Sequence, residues 1–122
     1  MTEGKLLAPC LKLMRAELVG FVIIKHGDGF TSGVPDVSIT GNRRTSWLEF
    51  KHGPKIKWAH GLQQLTCQRL AEKGFSCHVV LYEEAEEHRR TLILTPDEII
   101  IGSAPGFNHQ FVVDFVRSLH AQ

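Results

Sequence analysis

Residues 33–51 read GVPDVSITGNRRTSWLEFK, two β-branched and apolar runs on either side of Gly41-Asn42-Arg43-Arg44. That polar cluster holds residues that accept positive φ, so it reads as the turn of a hairpin between strands at about 34–40 and 46–51. Strand alternation puts Glu49 and Lys51 on one face and Leu48 and Phe50 on the other. If Asn42 and Arg43 form a two-residue loop, antiparallel pairing sets Asp36 directly opposite Glu49; a shift of one residue leaves them diagonal neighbours. Two carboxylates held that close call for a cation between them, and a lysine beside them completes a set able to hold a divalent metal and activate water.

Pro35-Asp36 followed by Glu49-Phe50-Lys51, thirteen residues after the aspartate, resembles the PD-(D/E)XK nuclease superfamily. More narrowly, the chain resembles VRR-NUC and Holliday-junction-resolvase domains. Gly33-Val34-Pro35-Asp36 is similar to their G-x-P-D opening, and Trp47-Leu48-Glu49-Phe50-Lys51 to their apolar strand ending in E-x-K. Gln63, on a helical segment closed by Gly74, sits where the family has a glutamine. Glu3, thirty-three residues before Asp36, sits where it has an acid on the first helix. The resemblance covers roughly residues 3–95. It implies a restriction-endonuclease-like α/β fold: an αβββαβ core with a central mixed sheet, followed here by C-terminal helices. The expected organisation is one domain over residues 1–122, with a core at about 3–95 and a helical extension at 96–122.

A chain of 122 residues has room for one core. Its 43% hydrophobic and 22% charged content is that of an ordinary globular protein. No stretch reaches the length of a membrane span, and the N-terminus lacks the apolar region of a signal peptide, so a cytoplasmic protein of bacterial or phage type is expected. Cys10, Cys67 and Cys77 stand at no metal-ligand spacing and read as buried, reduced thiols. Net charge is +1, and its distribution says more than its sum. Lys55 and Lys57 follow the Glu49–Lys51 strand with Trp58 beside them, and Arg43 and Arg44 stand at the hairpin tip. These five are the expected nucleic-acid contacts, the basic ones to phosphate and Trp58 to a base.

Residues 2–18 have helical periodicity, with Thr2 as a cap. Leu6, Leu7, Cys10, Leu11, Leu13, Met14 and Leu18 share a face on which Glu3 and, at the other end, Glu17 also fall. Pro9 predicts a kink or a start near Ala8. Strands are expected at 20–24, 77–82 and 91–94, and a helix over 61–73 whose Gln63, Cys67 and Leu70 face the sheet. Leu62 and Leu65 point away from that face, toward a partner. Thr95-Pro96-Asp97-Glu98 is a helix-start signature for a short helix ending at Gly102. Asn108 caps a last helix whose stripe of Phe111, Val112, Phe115, Val116 and Leu119 needs cover from this domain or from a second subunit.

Together these readings predict an endodeoxyribonuclease dependent on Mg²⁺ or Mn²⁺. Asp36, Glu49 and the Phe50 carbonyl are expected to bind the metal, and Lys51 to orient water or stabilise charge. By the resemblance, Gln63 and Glu3 support the site. The expected substrate is branched DNA, a Holliday junction or a flap, with a homodimer supplying paired cuts. The alternatives are a restriction-like or nicking nuclease, or a non-catalytic DNA-binding module of the same fold.

Overall fold

A computed structural model describes residues 3–27, 33–58 and 61–121, with Glu3 described in its backbone alone. The elements in chain order are α1 (Glu3–Glu17), β1 (Val22–Lys25), β2 (Val37–Gly41), β3 (Arg44–Gly53), α2 (Gly61–Glu72), β4 (Ser76–Ala85), β5 (His88–Leu94), β6 (Ile100–Pro105) and α3 (His109–Leu119). The fold is α/β, a six-stranded mixed sheet with flanking helices. Its strands lie side by side in chain order, β1 through β6. Among the described residues only β3 and β4 run parallel, which is where α2 provides the crossover that parallel neighbours require.

Asn42 and Arg43 both take positive φ, 51° and 64°, the signature of a type I′ two-residue loop. The β2–β3 register follows from it, Gly41 opposite Arg44 and Val37 opposite Leu48. Alternation along β3 then feeds one of two cores. Leu48 and Phe50 join Val37, Ile39, Val80 and Tyr82 beneath α1 and α3. On the other face Val79, Leu81, Leu92 and Leu94 pack with Ile56 and Trp58, and α2 lies over this side.

α1 buries Leu6, Leu7, Cys10, Leu11 and Met14, with Leu18 just beyond its end, as the periodicity predicts. The helix runs unbroken through Pro9, which stands with Ala8 on its exposed side, so the expected late start does not occur. The Thr2 cap lies outside the described residues.

Two expectations are corrected and one open alternative is decided. Thr95–Glu98 opens no helix: Glu98 sits at φ 67°, its N–H bonds the Thr95 carbonyl, and the Thr95 N–H bonds the Ile99 carbonyl. A tight loop results, and the β-branched Ile99-Ile100-Ile101 run continues as β6, so the C-terminal part holds one strand and one helix. Secondly, the α3 stripe is covered within the chain. Val112, Val113 and Val116 are fully buried against α1 and the sheet, and Phe115 meets His78 edge-on. Asn108 does cap α3, its Oδ1 accepting from the Phe111 N–H at 2.9 Å. Thirdly, Cys67 and Cys77 form a disulfide between α2 and β4, and Cys10 alone is a free, buried thiol. Burial pushes that thiol up to about 11, which makes it unreactive.

Candidate functional site

The site is the end of the β2–β3 hairpin farthest from its turn. The paired ladder stops at Val37 and Leu48, and one step on, in the same register, Asp36 stands opposite Glu49. Here carboxylates take over from backbone partners. Asp36 Oδ2 accepts from the Phe50 N–H at 2.8 Å, and Glu49 Oε1 accepts from the Asp36 N–H at 3.1 Å. Both acids are thereby fixed in orientation by main chain, which is the kind of rigid support a ligand pair needs.

Lys51, two residues along the same face, is 4% exposed and places Nζ 3.4 Å from Glu49 Oε2. Its ammonium also donates to Gln63 Oε1 at 3.0 Å and lies 5.6 Å from the centre of the Trp58 ring. Gln63 comes from α2, which faces this side of the sheet as the helical wheel predicts. Gln64 and Gln68 project elsewhere, to the Pro96 carbonyl and to Asp97. Asp36, Glu49, Lys51 and Gln63 thus converge from four sequence positions onto one face.

Electrostatics single out Glu49. Burial, then the neighbouring charge of Asp36, push its carboxyl up to about 8, and Lys51 only partly offsets them. A buried carboxyl that resists ionisation in the absence of a counter-ion is what a cation-binding position looks like when only its protein part is considered. Among the described residues no three side chains of His, Cys, Asp or Glu are grouped to hold a metal. Two carboxylate oxygens, with backbone and water to complete the shell, suit Mg²⁺ or Mn²⁺, which favour oxygen and retain water, far better than tetrahedral zinc.

The other expected residues fall in different places. Glu3 has its side chain outside the described residues, and α1, which carries it, packs on the Leu48 and Phe50 face. The fallback acid Glu17 is not at the site: its carboxylate bonds Arg117 at 2.8 Å and Gln110 at 2.9 Å. Lys55 and Lys57 are exposed on the loop that follows Lys51. Arg43 is exposed but at the turn, the opposite end of β3 from Lys51. Arg44 there donates to the Leu119 carbonyl at 3.2 Å, closing the end of α3. Trp58 does not stand free as a base-stacking platform. Its ring packs on the Val79–Leu94 cluster beside Lys51, forming a wall of the site.

Neither a family model nor a curated protein matches the chain. The narrower resemblance to VRR-NUC domains therefore stands on its motif residues alone. Among solved structures, the chain is similar to Archaeoglobus fulgidus Hjc, a Holliday junction resolvase from an archaeal hyperthermophile. The identity is 17% and the TM-score 0.46, over 74% of this chain and 77% of that one.

One residue escaped the sequence reading. His26, just past β1, donates its backbone N–H to the Asp36 carbonyl at 2.7 Å. Its ring stacks on Trp47 with centroids 5.3 Å apart, and its Nε2 meets Ser38 Oγ at 2.8 Å. The glycine-rich composition of 25–33 gave no signal for it; only the β1–β2 register brings it to the site.

Proposed function

We propose that this protein is a metal-dependent nuclease that hydrolyses phosphodiester bonds in DNA. The observation that carries the reading is the convergence of Asp36, Glu49, Lys51 and Gln63 on one sheet face, with Glu49 buried beside a second acid. Asp36 and Glu49, with the Phe50 carbonyl, would hold Mg²⁺ or Mn²⁺, which when bound would neutralise phosphate charge and make a bound water more acidic. Lys51 holds a positive charge where charge builds on the phosphate, and Gln63 fixes the direction of its ammonium. Glu3 is proposed to support the site from α1. Lys55, Lys57 and Arg43 would meet phosphates along the approaching strand. Branched DNA is the proposed substrate, because a chain this small has little surface for reading sequence and much of its contact would go to backbone and shape.

A homodimer is proposed on exposed apolar surface, now Leu62 and Leu65 of α2, 53% and 39% exposed, since α3 is occupied within the chain. Two subunits would supply the two cuts a four-way junction needs.

The test is incubation of the purified protein with labelled duplex, nicked, flap and four-way-junction DNA, with Mg²⁺, with Mn²⁺ and with chelator. Metal-dependent cleavage that is abolished in Asp36→Asn and Glu49→Gln, with DNA binding retained, is expected. Full cleavage by Asp36→Asn removes the assignment.

A further inference from the structure

The register carries His26 further than a loop position. In β1 and β2, Val22 pairs with Thr40 and Lys25 with Val37, and the 2.7 Å bond from the His26 N–H to the Asp36 carbonyl adds one more rung. Asp36 stands opposite Glu49 by the same one-step extension of the β2–β3 ladder. Residues directly opposite on antiparallel strands project from the same face. His26 just past β1, Asp36 just before β2 and Glu49 on β3 therefore form a lateral row. With adjacent strands about 4.8 Å apart, that row is about 10 Å wide, more than a single phosphate of a bound strand can span.

The next rung on this face is Ser38 opposite Trp47, and the His26 ring lies along it. Stacking on Trp47 fixes the ring plane, and the 2.8 Å contact with the nearly buried Ser38 hydroxyl engages Nε2. Among the described residues, Nδ1 has no partner. A side chain held at its plane and at one nitrogen, with the second nitrogen unpartnered among the described residues, on the sheet face that carries the two acids, is built to meet something outside the protein.

We propose that His26 is a substrate-positioning residue: the Ser38 hydroxyl donates to Nε2, and the imidazole presents Nδ1–H to a non-scissile phosphate oxygen of the strand bound across Asp36 and Glu49. Its place on the far side of Asp36 from Lys51 assigns it the phosphate that leaves the site away from the Lys55–Lys57 loop. The proposal rests on the nuclease reading for the direction of the strand and on the register for the position of the ring.

Three substitutions separate the ring's two nitrogens. Asparagine places an amide N–H where histidine carries Nδ1. Glutamine reaches the position of Nε2 and leaves Nδ1 empty, and phenylalanine keeps only the stack. Binding of a labelled DNA flap and of a four-way junction is measured in Ca²⁺ or chelator across a salt series, with thermal melts of each variant and cleavage by the wild type in Mn²⁺.

The expected pattern is an affinity about tenfold lower for His26→Gln and His26→Phe and near wild type for His26→Asn. A role confined to folding would move the melts and would not be rescued by asparagine. Wild-type affinity in His26→Gln, or equal weakening in His26→Asn and His26→Gln, overturns the proposal and leaves the nuclease reading intact if the wild type cleaves. The expected pattern in a protein that binds but never cleaves upholds the contact and removes the nuclease reading. A wild type that neither binds nor cleaves overturns both.

Discussion

In the metal-free protein, Glu49 should make stability fall as pH rises. The residue is 2% exposed, and its carboxyl pKa is pushed up to about 8 from an ordinary 4.5, because burial penalises the charge and Asp36 opposes it. A carboxyl whose folded value lies above its unfolded one holds its proton more tightly in the native state. Its contribution is therefore full below about pH 4.5 and is lost as pH climbs to about 8. Within that window the loss is about 1.4 kcal/mol per pH unit, so going from about pH 5.5 to about pH 7.5 removes about 3 kcal/mol. Glu49→Gln keeps the side chain's shape and an acceptor oxygen for the Asp36 N–H, and it has nothing to titrate. In urea unfolding with chelator, the gap between the two proteins should widen in favour of the variant by about 3 kcal/mol over those two pH units. Saturating Mn²⁺ should flatten the wild-type slope, because ligation needs the carboxylate and releases its proton. Identical pH slopes for wild type and variant in chelator would refute the reasoning.

Gly33 sits at φ 85°, and a Cβ there would meet Thr66 Oγ1 at 3.0 Å and the Leu62 carbonyl at 3.1 Å, so Gly33→Ala should cost about 1–3 kcal/mol, read as a lowered melting temperature. The Cys67–Cys77 bond closes a short loop with a sequence separation of 10. The Cys67→Ser/Cys77→Ser double variant should lose about 2–3 kcal/mol. Thiol titration of denatured wild-type protein should find one thiol before reduction and three after; three before reduction would refute the bond. Neutralising Lys55 or Lys57 should each lower the slope of log K against log salt by about 0.9 on duplex arms, and an unchanged slope for both would place the DNA elsewhere.

How far the sequence reached depends on how local each cause was. The hairpin was legible because Asn42 and Arg43 accept positive φ and the strands flanking them alternate, and that alone put Asp36 opposite Glu49. The placement of Gln63 followed from its share of a helix face with Cys67. Residues 95–98 misled because the cap, proline and acids are a local signal, whereas the loop is set by the pairing of β5 with the isoleucine run after it. The apolar stripe of α3 could not say whether its cover was α1 or another chain, and a spacing of ten between Cys67 and Cys77 says nothing until α2 is laid over β4. His26 needed the register of β1, which no composition reveals.

Because spatial order in the sheet repeats chain order, every side chain placed at the site by its contacts comes from one uninterrupted run, His26 to Gln63. The chain beyond the Glu86-Glu87 turn supplies β5, β6 and α3, and none of these side chains. The molecule is thus divisible at that turn into a fragment that holds the proposed site and one that completes the packing. Two such pieces, expressed separately, would have to find each other through the β4–β5 ladder to restore the sheet. That makes the turn a natural place to split the protein, so that activity reports on whether the halves have met.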